Sequence, residues 1–461
     1  MMMLSEIAKA LNATLRGPDV NVLSVGTDSR NIVKGQLFVA IKGEHFDGNA
    51  FAVAAIEKGA AAAMLSNANI HAAPGRAIPS IVVKDTRLAL GELAHYWRNQ
   101  FELPLVAVTG SNGKTTVKEM ITAILNSARG KVLATRGNLN NDIGLPLTLL
   151  GMNKNHTYAV IEMGMNHEGE ISYLTHIARP NVALINNAGT AHIGQLGSTE
   201  AIARAKGEIF AGLTEDGIAV INEDDRFADY WKSLNQHRQV ITFGLSDKAD
   251  VSATYTTQNN RSEIQLKTPS GSVAFSLGML GEHNVHNALA ASAAAVALGI
   301  SNADIAAGLS GFNPVKGRLN WLQGVNDAAV IDDTYNANPD SMKAAIDVLS
   351  KLNTRKIFVM GDMGELGENA PQMHADIGAY AKQKGIDYLF SLGELSQLAS
   401  QQFGANFGTG AQHFNALEAL LEVLHSHMKS DVTVLVKGSR FMKMERVVNQ
   451  ILKEKTIEGA H

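Results

Sequence analysis

The residue types best suited to chemistry cluster in one short run, Thr109-Gly110-Ser111-Asn112-Gly113-Lys114-Thr115-Thr116. Gly110 and Gly113 let the backbone close on an anion without a Cβ in the way. Ser111 and Asn112 keep the turn polar, Lys114 adds a point charge, and Thr115 offers a hydroxyl to a divalent cation. Amide N–H groups at a helix start are unpaired, and the helix dipole favours negative charge there. A nucleoside triphosphate is the ligand these features predict. The spacing G-x-x-G-K-T-T is shorter than the usual G-x-x-x-x-G-K-[ST] loop, because Val108 stands where that motif has its first glycine. Strand–glycine–helix turns also occur throughout α/β proteins without a ligand, so the phosphate reading depends on the surrounding elements.

Those elements agree with it. Residues 105–108 form a β-branched apolar run, and beyond Lys114 the apolar positions 117, 120, 121, 124 and 125 lie on one helical face. Further apolar strands are predicted at 158–162, 182–186, 218–222 and 240–243, alternating with helical stretches. That alternation implies an α/β fold with a doubly wound, mostly parallel sheet. Residues 251–277 switch to period two, which predicts antiparallel strands added at an edge, and an alanine-rich helix is expected at 284–298. Residues 315–461 restart the strand–helix alternation as a Rossmann-like unit. Residues 1–85 form a small α/β unit, with a helix at 4–11, short strands at 37–41 and 81–83, and a helix at 50–57. The expected domains are therefore 1–85, 86–313 and 314–461.

Composition narrows the function classes. Hydrophobic residues make up 45% of the 461-residue chain and charged residues 18%, enough apolar surface for several cores and against disorder. A formal charge of −4 gives no basic footprint for nucleic acid. Cysteine is absent, which excludes disulfides, thiolate catalysis and zinc–thiolate sites. The start of the chain lacks a signal-like apolar core, and no apolar run reaches the roughly 18 residues of a membrane span. A cytoplasmic protein without membrane insertion is expected.

Open α/β sheets bind ligands beyond the carboxyl ends of their strands. Glu162 ends one predicted strand there, and oxygens from Thr115 and Glu162, completed by phosphate and water, suit Mg²⁺. His192 follows another, although a lone histidine also reads as structural. Lys206 falls in a charged helical run that reads as a solvated face. Asp28 and Arg30 can form an ordinary surface ion pair. Arg318 is suited to bridging phosphates, and Asp333, beyond a strand at 328–331, to accepting from a ribose hydroxyl; an Asp/Asn/Pro-rich segment is also simply a turn.

Taken together, Thr109–Thr116, Glu162, His192, Lys206, His283-Asn284 with Asn287, Arg318 and Asp333 resemble, in order and setting, the Mur ligase family, which builds the peptide of peptidoglycan precursors. The resemblance covers essentially the whole chain, including residues 137–146, 332–338, 361–367 and 436–440 with Met444-Glu445. The shortened glycine turn is the family's usual form. The resemblance implies an ATP-dependent amide ligase whose substrates are a UDP-N-acetylmuramoyl-tripeptide and D-alanyl-D-alanine. The carboxylate is first phosphorylated and the amine then attacks. By the same resemblance, Lys114 and the glycine turn hold phosphates, and Thr115 and Glu162 hold one Mg²⁺. His192 and a carbamylated Lys206 hold a second, Asn284 and Asn287 meet adenine, and Ser29, Arg30, Asn138, Asn140, Asn336 and Asn338 meet substrate. A monomer is expected. The relative that adds the third amino acid carries Asp-Asn-Pro-Arg, which does not occur here. Folylpolyglutamate synthetase shares the nucleotide turn but lacks a comparable first domain. A nucleotide-dependent switch without ligase activity remains the alternative from another class.

Overall fold

The computed structural model describes residues 1–68, 71–73, 76–258, 261–406 and 409–453. Its centre is β1 (Leu105–Thr109), followed by the glycine turn and α1 (Lys114–Ser127). Val106 and Val108 point to one side of β1 and pack with Val117, Met120, Ile121, Ile124 and Leu125 of α1, all fully buried. Leu105 and Ala107 point to the other side, into a second core that the first domain's Leu37 and Ile81 share. A strand covered on both faces must be apolar at every position, and β1 is.

Beside β1 lie β2 (Tyr158–Glu162) on one side and β3 (Val182–Ile185) on the other, both parallel to it. The chain reverses its direction of travel across the sheet at β1, so the glycine turn opens at a topological switch point. The sheet has nine strands. Val132–Ala134 forms its outer edge next to β2; beyond β3 follow Ile218–Asn222, Val240–Gly244 and then Val251–Gln258, Arg261–Thr268 and Gly271–Leu277. The last three pair antiparallel to one another, as the period-two pattern predicts. Two helices complete this region's contribution to the site, α2 (Thr199–Gly207) and α3 (Glu282–Ala297).

A seven-stranded sheet follows, in which β4 (Ala329–Asp333) and β5 (Val432–Lys437) are parallel neighbours. Between them in sequence, α4 (Pro339–Ser350) starts with an Asn338 cap whose side chain accepts from Ser341 N. A five-stranded sheet built from residues 14–82 makes the first unit. Predicted strands and helices recur within a few residues of the observed ones. The strand Val132–Ala134 and the helices Gly144–Leu150 and Asn302–Ser310 have no counterpart among the predicted elements.

Candidate active site

Gly113 occupies the N-cap of α1 with φ +79°, and no side chain caps the helix. A Cβ at this position would collide with the Asn287 and Asn186 amides, so the turn needs glycine both for its dihedral and for its neighbours. Those neighbours shape the turn. Ser111 N donates to Asn187 O at 2.9 Å and Asn112 N to Asn187 Oδ1 at 2.9 Å. Asn186 Nδ2 donates to Asn112 O and to Asn287 Oδ1, each at 2.9 Å. The loop beyond β3 and helix α3 thus hold the turn open by amide contacts, leaving its helix start directed at a cavity of about 640 Å³.

Into this cavity converge Ser111, Lys114, Thr115, Asn138, Asn140, Glu162 and His192 from the central region, and Arg318, Asn336 and Asn338 from the last. Thr115 Oγ1 donates to Glu162 Oε2 at 2.9 Å, while Asn140 Nδ2 donates to Oε1 at 2.8 Å. Glu162 is only 3% exposed and is held by these two donors, one of them the hydroxyl expected beside a cation. Lys114 Nζ bends back onto Gly110 O at 2.7 Å. Burial pushes its pKa down, opposed by Glu162 and reinforced by Arg318. Arg318 lies over the Tyr335 ring at 4.1 Å, and among the described residues its buried Nε has no hydrogen-bond partner. An unmatched guanidinium N–H facing this cavity is a donor available to an anion.

Asn112, Gly113, Arg318 and Ser341 also line an adjoining cleft of about 400 Å³, with Thr116, Asn284, Asn287, Asp333 and Lys437. Asn284 and Asn287 are buried and bonded to each other. Asp333 differs from expectation in being already engaged. Its Oδ2 pairs with buried Lys437 at 2.6 Å and its Oδ1 accepts from Leu319 N at 3.2 Å, so a ribose hydroxyl would share or displace these contacts.

Three further expectations meet surroundings that the sequence does not announce. Lys206 is not on a solvated face: it is 1% exposed, and among the described residues no hydrogen bond or ion pair reaches its amine. Desolvation, then the Lys114 charge, pushes its pKa well down. His192, expected to hold a second metal ion with Lys206, has its Nδ1 2.8 Å from Glu365 Oε2. Among the described residues no group of three His, Asp or Glu side chains is placed to hold a metal. Ser29 and Arg30 lie outside this cavity, and Arg30, 85% exposed, pairs with Asp28 at 2.8 Å.

Several contacts that the sequence does not predict join the two walls. Asp340 Oδ2 accepts from Thr190 N at 2.7 Å and Thr190 Oγ1 at 2.8 Å, Asn338 Nδ2 donates to Asn112 Oδ1 at 2.7 Å, and Gly194 N donates to Glu365 O at 3.1 Å. Position at strand ends could have flagged Asn186, Asn187 and Lys437; nothing in the sequence points to the Thr190–Asp340 or His192–Glu365 pairs.

Family models match in three consecutive blocks: "Mur ligase family, catalytic domain" at residues 21–98, "Mur ligase middle domain" at 108–295 and "Mur ligase, glutamate ligase domain" at 317–440. The UDP-N-acetylmuramoyl-tripeptide--D-alanyl-D-alanine ligase of Escherichia coli K12 is 42% identical over 454 residues, covering 97% of this chain and 98% of that one. The chain belongs to the Mur ligase family. A crystal structure of MurF from Acinetobacter baumannii superposes with a TM-score of 0.90 at 39% identity, covering 97% of each chain. The MurF ligase of Thermotoga maritima, solved in complex with ADP, gives 0.81 at 27% identity, covering 93% of this chain and 96% of that one. Within the Mur ligase family the glycine turn, Glu162 and Arg318 therefore sit in a fold that binds an adenine nucleotide in at least one relative. Among the described residues no helix is long and apolar enough to cross a membrane.

Proposed function

We infer that this chain is an ATP-dependent ligase that joins D-alanyl-D-alanine to UDP-N-acetylmuramoyl-tripeptide in the synthesis of peptidoglycan precursors. The observation that carries the reading is the cavity in which a capless helix start, Lys114, the Thr115–Glu162 pair and the unpartnered Arg318 face one another from two domains. The full-length similarity to a relative of that name supports the choice of substrates.

Amide formation from a carboxylate and an amine is unfavourable in water, so one carboxylate oxygen of the tripeptide attacks the γ-phosphorus of ATP and ADP leaves. The amine of D-alanyl-D-alanine then attacks the acyl carbon, and phosphate departs with that carboxylate oxygen. Positioning and charge neutralisation do most of the work in phosphoryl transfer. Lys114 and the turn amides are placed for the phosphates and Arg318 for the charge that develops between the domains. An α-amine has a pKa near 8, so a useful fraction is neutral at pH 7 without a dedicated base. Asn138, Asn140, Asn336 and Asn338 border the same space and are assigned to substrate. Residues 1–85, with Ser29 and Arg30, are assigned to the UDP-muramoyl end, residues 86–313 to ATP and 314–461 to closure over both. The cytoplasm, where ATP is available, is the assigned compartment.

Two oxygen ligands at Thr115 and Glu162, with positions left for phosphate and water, fit Mg²⁺, which when bound supplies charge neutralisation to the phosphates. A second ion would require His192 to leave Glu365 and a carboxylate to replace the Lys206 amine. Carbamylation supplies one: the neutral amine adds CO₂, forming an N–C bond and releasing a proton. Burial next to Lys114 favours this by turning a repelled cation into an attracted anion.

The test is ADP release with the UDP-tripeptide present and a panel of acceptors. D-alanyl-D-alanine should stimulate it strongly; stimulation by glutamate or diaminopimelate instead would overturn the assignment.

A further inference from the structure

The acceptor dipeptide carries a carboxylate at the end opposite its reacting amine, and a site selecting a dipeptide needs a cation for that group which the nucleotide does not occupy. Four residues with cationic or protonatable side chains line the 640 Å³ cavity: Lys114, His192, Arg318 and Arg440. Lys114 belongs to the phosphate turn, Arg318 is shared with the adjoining nucleotide cleft, and His192 is held by Glu365. Arg440 remains, and it does not line the cleft.

Its setting is built rather than incidental. Arg440 follows β5 in a single turn of 3₁₀ helix, Arg440–Met442. Ser439 Oγ receives Gly364 N at 2.8 Å and donates to Ala337 O at 3.1 Å, and Ser439 N donates to Asp362 O at 2.9 Å. These bonds tie the turn to the two loops at the carboxyl ends of neighbouring strands. Glu365, next to Gly364, reaches His192 on the opposite wall, so the Arg440 turn is linked through Gly364 and Glu365 to the nucleotide side of the cavity. Arg440 Nη1 pairs with Glu445 at 3.2 Å, yet the guanidinium side chain stays 61% exposed, leaving donors for a two-point grip on a carboxylate. Beside it Phe441, 62% exposed, presents an apolar ring to the same cavity, near Gly364, Leu366 and Ala337. An exposed phenylalanine inside a polar cavity is the informative exception to ordinary burial.

We propose that Arg440 binds the terminal carboxylate of the acceptor dipeptide and that Phe441 packs against its methyl groups, which makes this turn the element that selects a dipeptide over a single amino acid. Two residues span at most about 7 Å, so a single amino acid anchored at Arg440 would hold its amine one residue short. The assignment rests on the ligase reading above.

The experiment compares D-alanyl-D-alanine with its C-terminal amide, D-alanyl-D-alaninamide, on the wild-type enzyme, Arg440→Gln and Arg440→Lys, with KM measured for all three substrates. Loss of charge-assisted hydrogen bonds predicts a rise of about 10- to 100-fold in the KM for the dipeptide in Arg440→Gln. The KM values for ATP and UDP-tripeptide should stay within about twofold, the approximate scatter of such contributions. The amide should be a poor acceptor for the wild type and scarcely worse for Arg440→Gln, and Arg440→Lys should recover part of the loss. An unchanged dipeptide KM in Arg440→Gln, or a rise confined to the UDP-tripeptide, overturns the assignment while leaving the ligase reading intact. A wild-type enzyme that does not use the dipeptide overturns both.

Discussion

The two walls of the cavity are built differently. The nucleotide wall is tied together by its own side chains: the glycine turn is bonded to Asn186 and Asn187, Asn186 to Asn287, and Glu162 to Thr115 and Asn140. The opposite wall, from the last domain, carries exposed groups on short turns, Arg440 and Phe441 foremost, and reaches the first through a few polar contacts such as Thr190–Asp340. One wall is organised for charge that develops in the transition state. The other presents exposed donors on turns that few contacts join to the first. Preorganised donors are worth most in catalysis, whereas docking contacts act on binding and closure.

This contrast predicts where substitutions do damage. Lys114→Ala should cost the most, about 10²- to 10³-fold in kcat with little change in the thermal transition, because the cation proposed for the phosphates is lost from an otherwise intact turn. Normal phosphate release in that variant would remove the distinction between the walls. Lys206 is the next lever. Its replacement by Ala should lower kcat by about 10²-fold, with formate or acetate restoring part of the rate. Mild intact-mass measurement of the wild type should show the mass of one CO₂, lost on acidification. Absence of that adduct at every bicarbonate concentration would mean the buried amine acts in another way. Asp340→Ala should do least, raising the KM for ATP by about tenfold while sparing kcat, since it removes two hydrogen bonds that bring the walls together. A loss in kcat equal to that of Lys114→Ala would show that the second wall takes part in the chemistry no less than the first.

The same contrast explains what can be read from the sequence. The nucleotide wall centres on one contiguous stretch in which a strand, a glycine turn and a helix each follow their own periodicity, and all five apolar positions singled out on α1 are fully buried. Lys206 is hard to read because the run Thr199–Gly207 looks amphipathic with ordinary charges. Burial comes from residues far along the chain: Trp231 Nε1 donates to Ala203 O at 3.0 Å, and a Cβ on Gly207 would press on Leu234. The links between walls are farther still. Thr190 and Asp340 are 150 residues apart, and Asn112 and Asn338 are 226 apart, so no local pattern encodes either pair. His192–Glu365 is hidden for the same reason. A histidine at a strand end suggests a metal ligand, and nothing local announces the Glu365 carboxylate 2.8 Å from its Nδ1. The short edge strand Val132–Ala134 has only three residues, too few for any period to register.

The central claim is that the glycine turn presents a terminal phosphoryl group to a peptide carboxylate. It is tested most directly by placing oxygen-18 in the reacting carboxylate of the UDP-tripeptide and following the label through one turnover with ATP and D-alanyl-D-alanine. The released phosphate should carry one labelled oxygen, because the oxygen that attacks phosphorus leaves with it. Phosphate free of the label, alongside normal amide formation, would contradict the account.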